Sequence, residues 1–553
     1  MASLFAPHLG TNYCPTDEEA SHIKSFLVEP GLRLRRLDDK IAELQNELDK
    51  LAAERESLVV YIDGHKALIS PLRRLPLDIV QEIFLACIPT HRNCVMSASE
   101  APVLLGRVCS SWRAIALSTP RLWSRLHIVE PQRVYGSDLT LCEAKAAQRF
   151  AATKTWLSRS GNCPLSISLL CRPGETQFAV TMPSATPLFL QALIPFAARW
   201  QHIDFTLSPA AVYSILPLME SDVPLLQSVK LQYDNPFTPH RVDLGNFRML
   251  RGSRISSFCG VGNEIVGESL PLQWHQLTLL EMTTAGPWQT SLTSERVLEI
   301  LRQCAELRTC KVSVNDRLET MIPSLPHVEV KSLHTLELHC EVLESTVSRL
   351  LHRLSLPELR NFTLSGHVHF TQDPPSLASC FASWSRLESV DISSDSFAKY
   401  SLLTSLQSLP DTVRQLKIRD TADRSLPGAV PLTTALDDSA LAILTPTDGL
   451  PPQCPNLESL DLEACIAISD EAILRFIVGR MSDPSGTRLK RVNVDLNRLM
   501  TLDILPSIQP FIDAGLDVSI AHFAPYKVQF SPWQGLADAP WDPESPTPWR
   551  YAA

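Results

Sequence analysis

Between residues 31 and 69, apolar side chains recur at alternating steps of three and four. They are Leu34, Leu37, Ile41, Leu44, Leu48, Leu51, Leu58 and Ile62, with Arg55 filling one inner position. The residues between them are mostly charged, among them Arg35, Asp38, Lys40, Glu43, Glu47, Asp49 and Glu54. A seam of this period, kept for about four heptads, predicts one long helix over 30–69, roughly 50 Å in length, that buries a narrow stripe. The stripe fits a dimeric coiled coil through residues 34–65, or a helix laid against its own protein. Residues 1–29 show no sustained period and are expected to be disordered. Ser70-Pro71 ends the helix, because the residue before a proline is pushed out of the helical region.

A different period governs residues 164–523. Short apolar runs such as SLHTLELHC (332–340), ELRNFTLSG (358–366), TVRQLKIRD (412–420) and NLESLDLEAC (456–465) share the frame L-x-x-L-x-L, where L is any apolar residue. Leu307, Leu333, Leu359, Leu387 and Val413 hold the same place in that frame, at intervals of 26–28 residues. That repeat marks a solenoid. Helical patterns lie between the strands, as in SERVLEILRQC (294–304) and ESTVSRLLHRL (344–354). The fold class is therefore α/β, with an irregular leucine-rich solenoid (a horseshoe) whose parallel strands line the concave face. Residues 129–163 read as a connector with one helix near 141–159. Residues 421–455 carry six prolines and read as an insertion loop. Residues 524–553, with Trp533, Trp541 and Trp549, read either as a tail covering an open sheet edge or as a peptide motif for another protein.

Residues 70–128 predict a compact helical unit. Pro76 suits a first helical turn, where its missing N–H costs nothing, and Asp78 complements the helix dipole. Ile79, Ile83 and Phe84 form one stripe, widened by Val80 and Cys87. Leu104, Leu105, Val108 and Trp112 form a second. So short a segment makes a poor independent core, and some of its apolar surface should meet a partner. The run PLRRLPLDIVQEIF, then LLGRVCSSW, then ALSTPRLW resembles the F-box, most closely the version in mushroom-forming fungi. The resemblance implies binding to the Skp adaptor of a cullin–RING ubiquitin ligase, with Leu75, Pro76, Ile79, Ile83, Val108 and Trp112 in the docking region. Trp112 and Trp123 fit a core role equally well. The loop 88–102 is longer than in the compact motif, and Ser110 and Ser111 stand where a basic residue often precedes the tryptophan. The repeat CPNLESLDLEACIAISDEAI (454–473) resembles the cysteine-containing repeats often coupled to F-boxes, with Ser469 as a helix cap.

Composition narrows the remaining choices. A net charge of −10 gives no reason to expect nucleic acid as a partner. The fourteen cysteines contain no Cys-x-x-Cys pair, so reduced thiols of a cytoplasmic or nuclear protein fit best. Cys109, Cys310, Cys340 and Cys465 lie in apolar runs and are expected to pack as small hydrophobes. The first residues lack the features of a signal peptide, and no stretch reads as a membrane span. Enzyme motifs, cofactor fingerprints and metal-ligand spacings are not found; His367 and His369 read as surface histidines. The expected partner is a protein substrate, held by outward strand positions: Glu337, Asn361, Thr363, Glu388, Asp391, Gln415, Lys417, Glu458 and Asp461. Several are acidic, which implies a preference for a basic segment. The alternative is a repeat scaffold that binds a protein without directing ubiquitylation.

Overall fold

The computed structural model describes residues 4–69, 71–131, 139–170, 186–207, 209–233, 244–262, 270–283, 292–314, 327–340, 350–366, 377–394, 397, 399–420, 435–446, 452–482 and 487–522. The chain divides into two compact units, Met1–Ala86 and Cys87–Ala553.

The first unit is dominated by helix α1, Asp17–Leu68. A capping box starts it: Glu19 N donates to Thr16 Oγ1 at 3.4 Å, and Thr16 N donates to Glu19 Oε2 at 2.8 Å. Asp17, Glu18 and Glu19 in the first turn, with His65 and Lys66 in the last, complement the helix dipole. The expectation of a disordered segment 1–29 is thus corrected, since the cap lies inside it and the helix runs on through Pro30. The seam residues Leu34 to Ile62 are between 48% and 62% exposed, apart from Arg55. Helix α2, Leu77–Ala86, follows a short turn at Pro71–Arg74.

The second unit begins with two short helices, α3 (Leu105–Val108) and α4 (Ser110–Leu117). Its main body is a parallel sheet of fourteen strands taken in chain order. These are β1 (Arg125–Val129), β2 (Leu165–Leu170), β3 (Trp200–Leu207), β4 (Ser228–Tyr233), β5 (Ser257–Val261), β6 (Leu279–Thr283) and β7 (Thr309–Val314). A two-residue strand β8 (Val328–Glu329) precedes β9 (Thr335–Cys340) and pairs with its own partner, β10 (Leu354–Ser355). The sheet continues through β11 (Asn361–Ser365), β12 (Ser389–Ser393), β13 (Gln415–Arg419), β14 (Ser459–Cys465), β15 (Arg491–Leu496) and β16 (Asp517–His522).

The alternation in the frame sets which face is buried. Leu336, Phe362, Val390, Leu416, Leu460 and Val492 lie side by side in register and are fully buried. Leu338, Leu364, Ile392, Ile418, Leu462 and Val494 make a second buried row. The frame residues Leu307, Leu333, Leu359, Leu387 and Val413 are all at 0% exposure, just ahead of their strands. Between repeats, one carbonyl takes two successive N–H groups of the next strand. Arg360 O accepts from Glu388 and Ser389, and Arg414 O accepts from Glu458 and Ser459. Each repeat therefore lends its neighbour both apolar cover and backbone partners.

Three boundaries differ from those expected. The sheet starts at Arg125, inside the segment assigned to the helical unit, because Leu126 and Ile128 already alternate inward. The connector helix α5 runs Leu139–Arg159. Part of the proline-rich insertion is a regular repeat helix, Asp438–Leu444, started by Ser439 N donating to Asp437 Oδ1 at 3.0 Å. Residues 421–434 and 447–451 of that insertion, the tail 524–553, and His367 and His369 lie outside the described residues. Among the described residues no helix is long and apolar enough to cross a membrane. Cys310, Cys340 and Cys465 are buried as expected, and burial raises the thiols of Cys310 and Cys465. Cys109 is exposed instead.

Candidate functional site

The docking residues inferred from the first unit lie on and before α2. Val80 N donates to Pro76 O at 3.1 Å, so Pro76 opens the helix as its chemistry predicts. Val80 and Phe84 are buried, whereas Leu75, Ile79 and Ile83 are exposed, Ile79 by 45%. The single stripe expected from the sequence is thus two. Val80 and Phe84 serve the core, and Ile79 and Ile83, one turn apart, face solvent. Pro76 is exposed as well.

In the second unit the expected stripe from Leu104 to Trp112 is broken at Cys109, whose backbone is extended (φ −157°, ψ 172°). Its Sγ accepts from Trp112 N at 3.4 Å and caps α4. That role explains why this thiol is exposed rather than packed. Leu105 and Ala116 are buried, while Leu104 and Val108 are exposed, Val108 by 57%. Trp112 is half-buried. Trp123 belongs to the core. Its Nε1 donates to Ala116 O at 2.8 Å, its ring meets Trp156 edge-on at 4.8 Å, and the Arg159 guanidinium lies over it at 4.6 Å.

The long loop 88–102 has a structural task the sequence did not show. His127 N donates to Cys94 O at 2.7 Å and Val95 bridges to His127, so the loop covers the outer edge of β1. Arg92 pairs with Glu100, whose carboxylate also accepts from Val95 N at 3.2 Å. Cys94 is buried there, and burial pushes its thiol up to about 11.

The strand positions named for partner binding are brought together in two rows on the open face. Thr335, Asn361, Ser389, Gln415, Ser459 and Arg491 align in one; Glu337, Thr363, Asp391, Lys417, Asp461 and Asn493 align in the other. Glu388 and Glu458 sit just ahead of their strands, outside both rows. The acidic character expected of this face is corrected by its pairing. Lys311 meets Glu337 at 2.9 Å, Arg419 Nε donates to Asp391 at 2.9 Å, and Lys417 pairs with Glu463. Ahead of the strands, Arg360 meets Glu388 at 3.6 Å, and Glu458 is shared by Lys490 at 2.6 Å and Arg414 at 3.6 Å. Each of these five carboxylates has a cation on a neighbouring repeat, an arrangement that cannot be seen until the register is known; no such pair is seen for Asp461 among the described residues. The Lys490 hydrogen bond is the main reason the Glu458 carboxyl lies below its usual range.

No family model matches the chain, and no curated protein matches it. Among solved structures, the yeast complex of Rad7 and Elc1 is similar at a TM-score of 0.30 and 14% identity, covering 68% of this chain and 94% of that one.

Proposed function

We propose that the chain is a substrate receptor of a cullin–RING ubiquitin ligase, of the F-box type found in mushroom-forming fungi. Its helical segment would dock the Skp adaptor and its repeats would hold a protein substrate, in the cytoplasm or nucleus. The observation that carries this is the split of apolar residues in the F-box-like segment. Val80, Phe84, Leu105 and Ala116 are buried, yet Leu75, Ile79, Ile83 and Val108 remain in water. Exposed aliphatic residues at these motif positions are what an adaptor-binding surface requires. In this reading the open sheet face is the concave side of a horseshoe and takes the substrate. Catalysis belongs to the bound ligase, and the receptor supplies proximity.

The test is co-purification with the Skp adaptor. Ile79→Asp with Ile83→Asp should abolish it while leaving thermal unfolding unchanged, because both side chains are exposed. Leu75→Ala with Pro76→Ala should weaken it. Undiminished binding after deletion of residues 71–128 rules out this docking site. The scaffold alternative draws support from Ser110 and Ser111, which put no basic residue immediately ahead of Trp112. A folded protein that ignores the adaptor, yet captures a partner, decides for the scaffold.

A further inference from the structure

The paired charges of the open face give way to a different arrangement at its start. A cavity of about 510 Å³ opens over β1–β4, walled on one side by the loop that covers β1. That volume lies within the roughly 300–1,000 Å³ typical of ligand sites. Asn93 pins the loop down: its Nδ2 donates to Ser168 Oγ at 3.1 Å and its Oδ1 accepts from Ser166 Oγ at 2.9 Å. The lining contains three permanent cations, Arg92, Arg125 and Lys230, against one carboxylate, Asp204. Arg92 is offset by Glu100, and Lys230 lies 3.5 Å from Asp204. Arg125 is different. Its guanidinium donates to the carbonyls of Pro89 at 2.8 Å and Arg92 at 2.7 Å, and its other hydrogen bonds go to the Thr90 carbonyl and the Asn93 side-chain oxygen. Neutral oxygens orient this charge without cancelling it, so the cavity keeps an excess of positive potential. Of the remaining polar lining, Ser166 and Ser168 are held by Asn93, and Thr206 and Gln232 carry further hydrogen-bond donors.

We propose that this cavity captures an acidic side chain of an extended peptide segment in the partner protein. Both a carboxylate and a phosphoryl group have the chemistry it selects, a compact oxyanion that accepts several hydrogen bonds. The cavity lies on the open face, so a strand-like segment running along the sheet can lower one anionic side chain into it. Arg92 pairs with Glu100 through both terminal nitrogens and Lys230 faces Asp204, yet each is about half exposed in the lining, so an incoming oxyanion competes with those carboxylates while Arg125 supplies the uncancelled charge. This inference rests on the partner-capture half of the function proposed above and is independent of adaptor docking.

The experiment uses the full-length protein and three labelled peptides of one length: a Gly/Ser peptide, one bearing a central Glu, and one bearing a central phosphoserine. Fluorescence anisotropy at low salt should show binding of the acidic peptides and none of the Gly/Ser peptide. Competition by inorganic phosphate against the phosphoserine peptide alone identifies the phosphoryl form; preference for the Glu peptide identifies the carboxylate form. Arg92→Gln with Lys230→Gln should weaken binding at least about tenfold. Lys311→Gln, on the same face outside the cavity, should leave it unchanged. Equal binding of all three peptides, or equal loss in the Lys311 variant, overturns the proposal. Adaptor co-purification is run on the same variants. If peptides fail while the adaptor still binds, the cavity proposal alone falls; if the adaptor fails while peptides bind, docking alone falls.

Discussion

Asp470 opens the helix Asp470–Ser482 with its carboxylate buried. Arg498 donates to both oxygens at 3.2 and 2.8 Å, Thr501 donates from N and Oγ1, Leu502 donates from N, and His522 Nε2 lies 3.0 Å from Oδ1. Burial alone would raise this carboxyl; the donors outweigh it and hold the group well below the usual carboxylate range. The sign follows. A depressed folded pKa stabilises fully above the unfolded value near 3.9 and is lost as pH falls below it. Asp470→Asn leaves the half-buried Arg498 without its counter-charge and takes a buried acceptor oxygen from these donors, and should cost about 3 kcal/mol at pH 7. The deficit relative to the parent should shrink in acid; a pH-independent deficit in urea unfolding would refute the assignment. The sequence shows only that Asp470 stands in a first helical turn after the Ser469 cap, because its partners lie 28–52 residues away in the chain. Gly366 was equally silent. It ends β11 at φ +135°, and a Cβ there would stand 1.8 Å from Cys340 O. A tolerated Gly→Ala change stabilises by about 0.4–1 kcal/mol; Gly366→Ala should instead destabilise by more than that, read as a lower denaturation midpoint.

At the scale of elements, periodicity carried most of the information. The L-x-x-L-x-L frame located β7, β9 and β11 to β14, though not the two-residue strands β8 and β10, because period-two burial is written directly into short apolar runs. It missed β1, since five residues after Trp123 and Ser124 are too few to show a repeat, and it missed β5 and β16 as well. It also failed to separate the two faces of α2, where Ile79 and Val80 are both aliphatic and only the packed structure tells them apart. Helix α1 poses the reverse case: the pattern was plain, and its seam side chains stand exposed. Leu37, Leu44, Leu51 and Leu58 take one set of inner positions, and Leu34, Ile41, Leu48, Arg55 and Ile62 take the other. A single charged residue at an inner position is a usual means of setting register at a cost in stability. If the helix self-associates, Arg55→Leu should tighten the dimer and Leu44→Asp with Leu51→Asp should dissolve it. Sedimentation of the full chain reads both; a monomeric mass for the parent and for Arg55→Leu excludes the coiled coil.

Across the whole sheet, the decisive feature is that charge is matched between repeats rather than within them. The acids at Glu337, Asp391, Glu388 and Glu458 looked like a free anionic surface because a sequence shows neighbours along the chain and hides those one repeat away. In register each faces a lysine or an arginine. A basic partner segment must therefore compete with Lys311, Arg360, Arg419 and Lys490, and the face as a whole offers little net attraction to it. The same matching makes a stability prediction. Exposed pairs are worth about 0.2–1 kcal/mol each, and reversing an acid turns attraction into like-charge repulsion of similar size. Converting all four acids to Lys should then lower the melting temperature at low ionic strength. It should do so even though none of the four is buried. In 1 M salt, where the Debye length falls to about 3 Å, most of that loss should return. Equal melting of parent and variant at low salt would mean the pairs do not form in solution. The acids would then again be free to recruit a cationic segment, and capture of a basic peptide, lost in the fourfold variant, would show it.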